Sequence, residues 1–279
     1  MNMEPLKIDM SEFIPAGEGS NGESYYHRND PSVMLKLYFP GKVEQPLREM
    51  EMARKVYELG IPTPEPGDYV VTPDGRYGIR FRRIEGKVSY ARAVGDNPDR
   101  VAEYAAEFAG MCLYLHSVRL DTREFANVKD NYYRLLEENP FFTSVEKDRL
   151  GRFISDVPEK NTAIHGDLQF GNAIFAGEKR YFIDLGDFCY GDPRFDLGMV
   201  YLTGNLNVES FTQEAFHMSN ATARLFWEAF APAYFGSDRP LSSIEEEVRP
   251  FAGLKTIIIE RDTRRPMPEF RAALKSILE

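Results

Sequence analysis

The stretch that decides the fold is His165-Gly166-Asp167-Leu168-Gln169-Phe170-Gly171-Asn172, followed twelve residues later by Asp184 at the end of the apolar run Tyr181-Phe182-Ile183. An isolated loop aspartate is usually a turn or cap residue. The joint pattern is more specific. Phosphoryl transfer needs a carboxylate to accept or orient the proton of an attacking hydroxyl. It also needs an amide oxygen and a second carboxylate to hold Mg²⁺ on nucleotide phosphates. The Asp-x4-Asn spacing lets one short loop present Asp167 and Asn172 to one cleft, with Asp184 facing Asn172 from the next hairpin.

Upstream, Val33-Met34-Leu35-Lys36-Leu37-Tyr38 reads as a strand with a lysine in an apolar run. Burying that ammonium is costly unless it is paired. The helical pattern Gln45–Leu59 offers two carboxylates. Glu49 shares a stripe with Met52, Ala53 and Val56 and points inward, whereas Glu51 lies with Arg48, Arg54, Lys55 and Glu58 on a solvated face, so Glu49 is the expected partner. Further upstream still, Gly17-Glu18-Gly19-Ser20-Asn21-Gly22 matches a glycine-rich phosphate loop. A dinucleotide site would place a helix after it. Strand-like Glu23-Ser24-Tyr25-Tyr26 follows instead, which favours a glycine-rich hairpin over phosphates and disfavours an oxidoreductase.

Downstream, Gly191-Asp192-Pro193-Arg194-Phe195-Asp196-Leu197-Gly198 reads as a helix start. Asp192 is the candidate N-cap. Asp196, in the first turn, either favours the helix dipole or reaches back to brace the Asp167 loop. His27, His116 and His217 have no metal-ligand spacing, and Cys189 follows Asp184 with nothing to lower its pKa.

The wider pattern is strands near Ser11–Pro15, Glu23–His27, Val33–Phe39, Asp68–Thr72 and Tyr77–Arg83 around one helix, with a boundary at Gly86. Helices then dominate. Asn97 and Pro98 open a long core helix through Tyr104, Phe108, Cys112 and Leu115; Val128–Glu138 and Val145–Val157 follow. After an inset of strands from Ala163 to Asp184, helices resume, among them Phe211–Tyr234 and Ile244–Arg261. This is an α+β order. It predicts an antiparallel-sheet N-terminal lobe over residues 1–86 that binds nucleotide and a helical lobe over 87–279 that carries catalysis and the acceptor.

With 279 residues, 43% hydrophobic and 28% charged, the chain is of ordinary globular composition, long enough for two lobes. No apolar run reaches the length of a membrane helix, and Met1–Met10 lacks an apolar signal core. Two cysteines suit a reducing cytosol, so the expected location is cytoplasmic. A net charge of -10 without a basic run disfavours nucleic acid and anionic membrane and is compatible with a cationic acceptor. Oligomeric state is left open by the sequence.

These motifs resemble the aminoglycoside phosphotransferase and choline kinase family, which has a two-lobed protein-kinase-like fold. The matching residues are His165 to Asn172, Ile183-Asp184 and Gly191-Asp192-Pro193 with Asp196-Leu197, supported by Gly17–Gly22, Lys36, and Arg48-Glu49 leading into Gly60-Ile61-Pro62. The resemblance implies that Asp167 is the catalytic base and that Asn172 and Asp184 bind Mg²⁺. It implies that Lys36, paired with Glu49, contacts nucleotide phosphates. Gly17, Gly19, Ser20, Asn21 and Gly22 would cover the phosphates, and the backbone of Arg82 and Ile84 would hold adenine at the hinge. His165, Asp192 and Asp196 would support the site. Gly198 stands where Ala is common, a minor departure. The implied reaction moves the γ-phosphoryl group of ATP to a hydroxyl of a small molecule; backbone recognition of the base leaves GTP possible. Glu209, Glu214, Glu228 and Glu260 are candidates to attract an amine-bearing acceptor. The second reading is a regulatory ATP-binding protein of the pseudokinase type. It sits poorly with the presence of Lys36, Glu49, Asp167, Asn172 and Asp184 together.

Overall fold

The computed structural model describes residues 4–19, 22–205 and 209–278, and the chain divides into two compact units. The first runs to Val88 and takes in Ile174–Gly186; the second comprises Ser89–Ala173 and everything from Asp187 onward. The chain therefore passes between units three times, where the sequence reading placed one boundary after residue 86.

The first unit is built on a six-stranded sheet. Its spatial order is Leu6–Lys7, Pro66–Val71, Tyr77–Arg82, Val33–Tyr38, Gly22–His27 and Phe13–Gly19. All neighbours are antiparallel except Leu6–Lys7 on Pro66–Val71, which is parallel. The period-2 rule assigns the two faces. Leu35 and Leu37 join Ile8, Phe13 and Val70 on one side. Tyr38 joins Met50, Tyr69 and Ile79 on the other, under the helix Glu44–Glu58. Lys36 pairs in register with Ile79, so it too lies on the helix face. The helix buries Glu49, Ala53 and Val56 and leaves Glu51 exposed, as its stripe predicts, but Met50 is buried where Met52 was expected and Met52 is half-buried. A hairpin of Ala173–Ala176 and Lys179–Phe182 ends beside Asp184 and is tied to this unit where the Phe182 N–H donates to the Pro62 carbonyl.

The second unit is mainly helical. Helix Val101–Ser117 packs on Asn220–Phe235, and Arg194–Gly204 on Leu241–Thr263. Phe108, Phe170, Phe226 and Phe230 are fully buried and pack against one another, mostly tilted or edge-on, with ring centroids 4.5–6.4 Å apart. Burying each such ring contributes about 1.5–3 kcal/mol. A second cluster joins Tyr132, Leu150, Ile154, Phe195, Phe251 and Ile257. The helices Arg194–Gly204 and Leu241–Thr263 approach so closely at Gly198 that a Cβ there would lie 2.5 Å from the Phe251 carbonyl carbon. The departure from Ala at this position is therefore not minor, because the helix pair requires it.

Two local readings are corrected. Asn97 does not cap the long helix through its side chain; its Nδ2 donates to the Ala93 carbonyl and closes a short helix, Tyr90–Asp96, that the sequence reading missed. The expected helix Phe211–Tyr234 is two helices, Glu209–Phe216 and Asn220–Phe235. His217 takes a left-handed φ of 58° between them, and the Ser219 hydroxyl caps the second by accepting from Thr222 N–H. Among the described residues, no helix is long and apolar enough to cross a membrane.

Candidate active site

Within the second unit, Thr162–Ile164 and Cys189–Gly191 form an antiparallel pair that launches the loop His165–Asn172. Gly166 makes its turn. It has φ +88°, and a Cβ there would sit 2.3 Å from the Asp187 carbonyl oxygen, so neither conformation nor space admits a side chain. Four residues of loop separate Asp167 from Asn172, and the loop closes on itself. Asn172 is buried, and its Nδ2 donates to the Asp167 carbonyl and to Asp167 Oδ2, both at 2.9 Å. Those bonds occupy the amide nitrogen and leave the Asn172 Oδ1 oxygen as an acceptor.

Asp196 braces this loop from below. It is fully buried in the first turn of helix Arg194–Gly204. Its Oδ2 accepts from His165 N–H at 2.7 Å and its Oδ1 from Gly166 N–H at 2.9 Å. His116 Nε2 lies 3.2 Å from Oδ2 and His116 Nδ1 lies 2.7 Å from the Tyr234 hydroxyl. A carboxylate only accepts, so Nε2 carries the proton toward Asp196 and Nδ1 accepts from Tyr234 when the ring is neutral. Burial pushes the Asp196 carboxyl up, but the His116 bond and the charges around it outweigh burial and hold it below the usual carboxylate range. Asp192 is buried one turn earlier. Its Oδ1 accepts from Arg194 N–H at 3.0 Å, although the cap position of the helix falls on Pro193 and not on Asp192 as expected, and Lys160 Nζ lies 2.8 Å from Oδ2. His165 is fully buried, with its Nδ1 3.4 Å from the Asp167 N–H.

Within the first unit, Lys36 Nζ donates to Glu49 Oε1 at 2.6 Å and to Asp184 Oδ1 at 2.9 Å. Tyr38, on the same face of the strand, donates its hydroxyl to Glu49 Oε2. Burial pulls the Lys36 ammonium down, and the two carboxylates together overcome it, so its pKa is raised and it stays charged. Asp184 itself sits at a left-handed φ of 60°, a conformation that Asp tolerates better than most residues and that aims its carboxylate back at Lys36. The glycine-rich segment is a hairpin in which Gly19 pairs with Gly22 and Gly17 with Ser24. Ser20 and Asn21 lie outside the described residues. At the expected hinge, the Arg82 N–H is committed to the Glu65 carbonyl and the Arg83 N–H to the Ser32 carbonyl, whereas among the described residues no hydrogen bond engages the backbone of Ile84.

Some sequence candidates are placed elsewhere. Glu260 is fully buried, accepting from Arg271 and from Met267 N–H, so it is no surface acid facing an acceptor, whereas Glu228 is exposed and pairs with Arg224. Glu214 is exposed, and the Glu209 side chain is outside the described set. Both cysteines are free and buried, and burial raises their thiols well above the ordinary value. The residues that sequence reading missed are His116, Tyr38 and above all Lys255. Lys255 sits in the apolar helical run Phe251-Ala252-Gly253-Leu254-Lys255-Thr256-Ile257, the same signal that singled out Lys36.

A sequence model described as the phosphotransferase enzyme family matches residues 12–232. The chain belongs to that family. No curated protein matches it in sequence. Solved structures of family-like folds do. A choline/ethanolamine kinase family protein from Mesorhizobium loti is 17% identical, with 95% of this chain and 85% of that one covered and a TM-score of 0.51. Amicoumacin kinase hAmiN, solved with AMP-PNP, Ca²⁺ and Ami, is 16% identical over 98% of this chain and 89% of its own, with a TM-score of 0.58. Aminoglycoside phosphotransferase APH(3'')-Id from Streptomyces rimosus is 19% identical over 88% and 92%, with a TM-score of 0.58. At these identities the likeness establishes the fold, which is protein-kinase-like.

Proposed function

We propose that this phosphotransferase moves the γ-phosphoryl group of ATP, with GTP as a possible substitute, to a hydroxyl of a small molecule, and that Asp167 is its catalytic base. The observation that carries this reading is the Asp167–Asn172 pair. Asn172 holds one carboxylate oxygen of Asp167 through its amide nitrogen and leaves Oδ1 for a cation. The remaining Asp167 oxygen is then oriented to accept the proton of an attacking hydroxyl. As that proton leaves, the acceptor oxygen bonds to the γ-phosphorus, the bond from phosphorus to the β–γ bridging oxygen breaks, and ADP departs.

The other residues are assigned by what they can offer. Lys36 keeps its charge between Glu49 and Asp184 and would neutralise nucleotide phosphates. Gly17, Gly19 and Gly22 would let backbone approach those phosphates, and Ile84, whose backbone no hydrogen bond engages among the described residues, would offer its N–H to the base. Asn172 and Asp184 offer hard oxygen donors, the kind Mg²⁺ takes. Two protein donors suffice where phosphates complete the shell, and so the lack of a cluster of three His, Cys, Asp or Glu among the described residues does not count against the fit. Mg²⁺, when bound, would offset phosphate charge. The net charge of -10 suits an amine-bearing acceptor.

The test is Mg²⁺-dependent ADP release over a panel of aminoglycosides, choline, ethanolamine, other amino-alcohols, methylthioribose and simple sugars, with Asp167→Asn as the blank. Acceptor-dependent release is expected from the native protein. The variant should lose transfer by at least a thousandfold while its nucleotide affinity changes less than threefold. Retained turnover in Asp167→Asn would remove Asp167 from the mechanism, and ATP binding without release on any acceptor or on cell extract would favour a regulatory protein.

A further inference from the structure

Lys255 is a lysine in the middle of a helix interior, 3% exposed, in a unit whose other buried lysine has an evident structural task. That other one, Lys129, donates to the Ser155 and Val157 carbonyls at the end of helix Ser144–Asp156 and closes it. Lys255 closes no helix. Its Nζ donates to the Gly166 carbonyl at 2.9 Å, and Gly166 is the residue before Asp167. The Tyr132 ring centroid lies 5.8 Å from the ammonium. Burial pulls the ammonium down, and Tyr132, Asp196 and Asp167 outweigh it, so the lysine remains protonated.

The Gly166 residue is thus held from both sides. Its N–H is taken by Asp196 at 2.9 Å and its C=O by Lys255 at 2.9 Å. The C=O of Gly166 belongs to the peptide that carries the Asp167 N–H, so the orientation of that peptide sets where the Asp167 side chain starts. A left-handed glycine without these two bonds would be free to rotate. A single ammonium fixes this peptide and places a positive charge beside two carboxylates. Lys255 lies beyond residue 232, where the family match ends. The device is thus carried by helix Leu241–Thr263, outside the matched segment.

We propose that Lys255 is a positioning residue for Asp167, locking the Gly166–Asp167 peptide through the Gly166 carbonyl. The inference rests on the phosphotransferase reading of Asp167 for its kinetic consequence, but not for its structural one. In Lys255→Met the stem is kept and the donor and charge are lost.

Two measurements on the full chain separate these. Hydrogen exchange of peptides covering residues 163–172 should quicken at least tenfold in Lys255→Met, with peptides from helix Val101–Ser117 unchanged. With whichever acceptor the panel identifies, kcat should fall ten- to a hundredfold while KM for ATP stays within twofold. Lys255→Arg, which keeps a buried donor and its charge, should recover most of both losses and guards against a methionine variant that does not fold. Exchange that stays native in Lys255→Met, or that quickens evenly along the whole unit, overturns the inference. So does a kcat within twofold of native, or an arginine variant no better than methionine. A native protein without turnover overturns the phosphotransferase reading instead, and the exchange arm then decides Lys255 alone.

Discussion

Asp196→Asn changes one oxygen to an amide in a site where all three bonds are known. In the native protein one carboxylate oxygen takes His165 N–H and His116 Nε2, and the other takes Gly166 N–H. The asparagine amide keeps the most bonds by turning its nitrogen toward Gly166. That leaves one buried N–H facing another, at a cost of about 1–3 kcal/mol, and strips charge assistance from the two remaining bonds at about 1 kcal/mol each. Lys255 also loses a neighbouring anion. The expected destabilisation is roughly 3–5 kcal/mol at neutral pH, the range for breaking a buried charged network.

The chain has one tryptophan, Trp227, fully buried in the same unit, so its fluorescence during urea unfolding reads the affected unit directly. The pH dependence has a definite sign. The folded carboxyl of Asp196 lies below its unfolded value. Its contribution is therefore complete above an unfolded pKa of about 4 and is lost as pH falls through the lower folded one. The groups facing it are His116 and Cys112 on one helix, His165 on the loop, Cys189 on the strand after it, Tyr132, Lys255 on helix Leu241–Thr263, and Tyr234 through His116. The gap between native and variant should stay constant from pH 7 to about 5 and narrow below 4. A gap under 1 kcal/mol at pH 7, or one that widens in acid, would refute the reasoning.

Tyr38→Phe removes the hydroxyl that Glu49 Oε2 accepts and should cost about 1–2 kcal/mol in urea unfolding of the first unit, followed by far-ultraviolet circular dichroism. Gly198→Ala forces a Cβ to within 2.5 Å of the Phe251 carbonyl carbon and should shift the Trp227 transition by about 1–3 kcal/mol; a neutral substitution would mean that the two helices are not held at this spacing. Ellman's reagent should find neither Cys112 nor Cys189 in the native protein within minutes and both after denaturation, since both thiols are buried and their pKa values raised.

The elements that position Lys36 were legible because two periodicities agreed. Alternation put Lys36 and Tyr38 on one face of their strand, and the 3.6-residue stripe put Glu49 inward, so a contact across 13 residues of sequence followed from local patterns. Where one signal had two readings, the sequence reading failed. Asn97 followed by Pro98 looks like a helix start, and the short helix Tyr90–Asp96 whose end it closes has too few turns to show a stripe. The break at His217 carried a signal that was passed over, Ser219 three residues before Thr222, because the apolar stripe on either side invited one continuous helix.

Lys255 and His116 were illegible for a different reason. Each lies on a helix whose pattern is complete without it; Lys255 meets the loop at Gly166 across 89 residues of sequence, and His116 meets Asp196, the residue that braces the loop, across 80. Such residues are visible only when the buried charges are compared with one another. Glu260 and Arg271 neutralise each other near the C-terminus, and Lys129 closes a helix. Neither arrangement holds the loop that carries Asp167. Lys255, by contrast, places its buried charge on the C=O of Gly166, and Asp196 places its own on the N–H of Gly166 and of the adjoining His165. Apolar side chains of equal volume would stabilise the unit as well or better. What they would not do is fix the rotation of one peptide. The placement of both charges at the residue before Asp167 therefore argues for orientation of that carboxylate over stability of the surrounding helices.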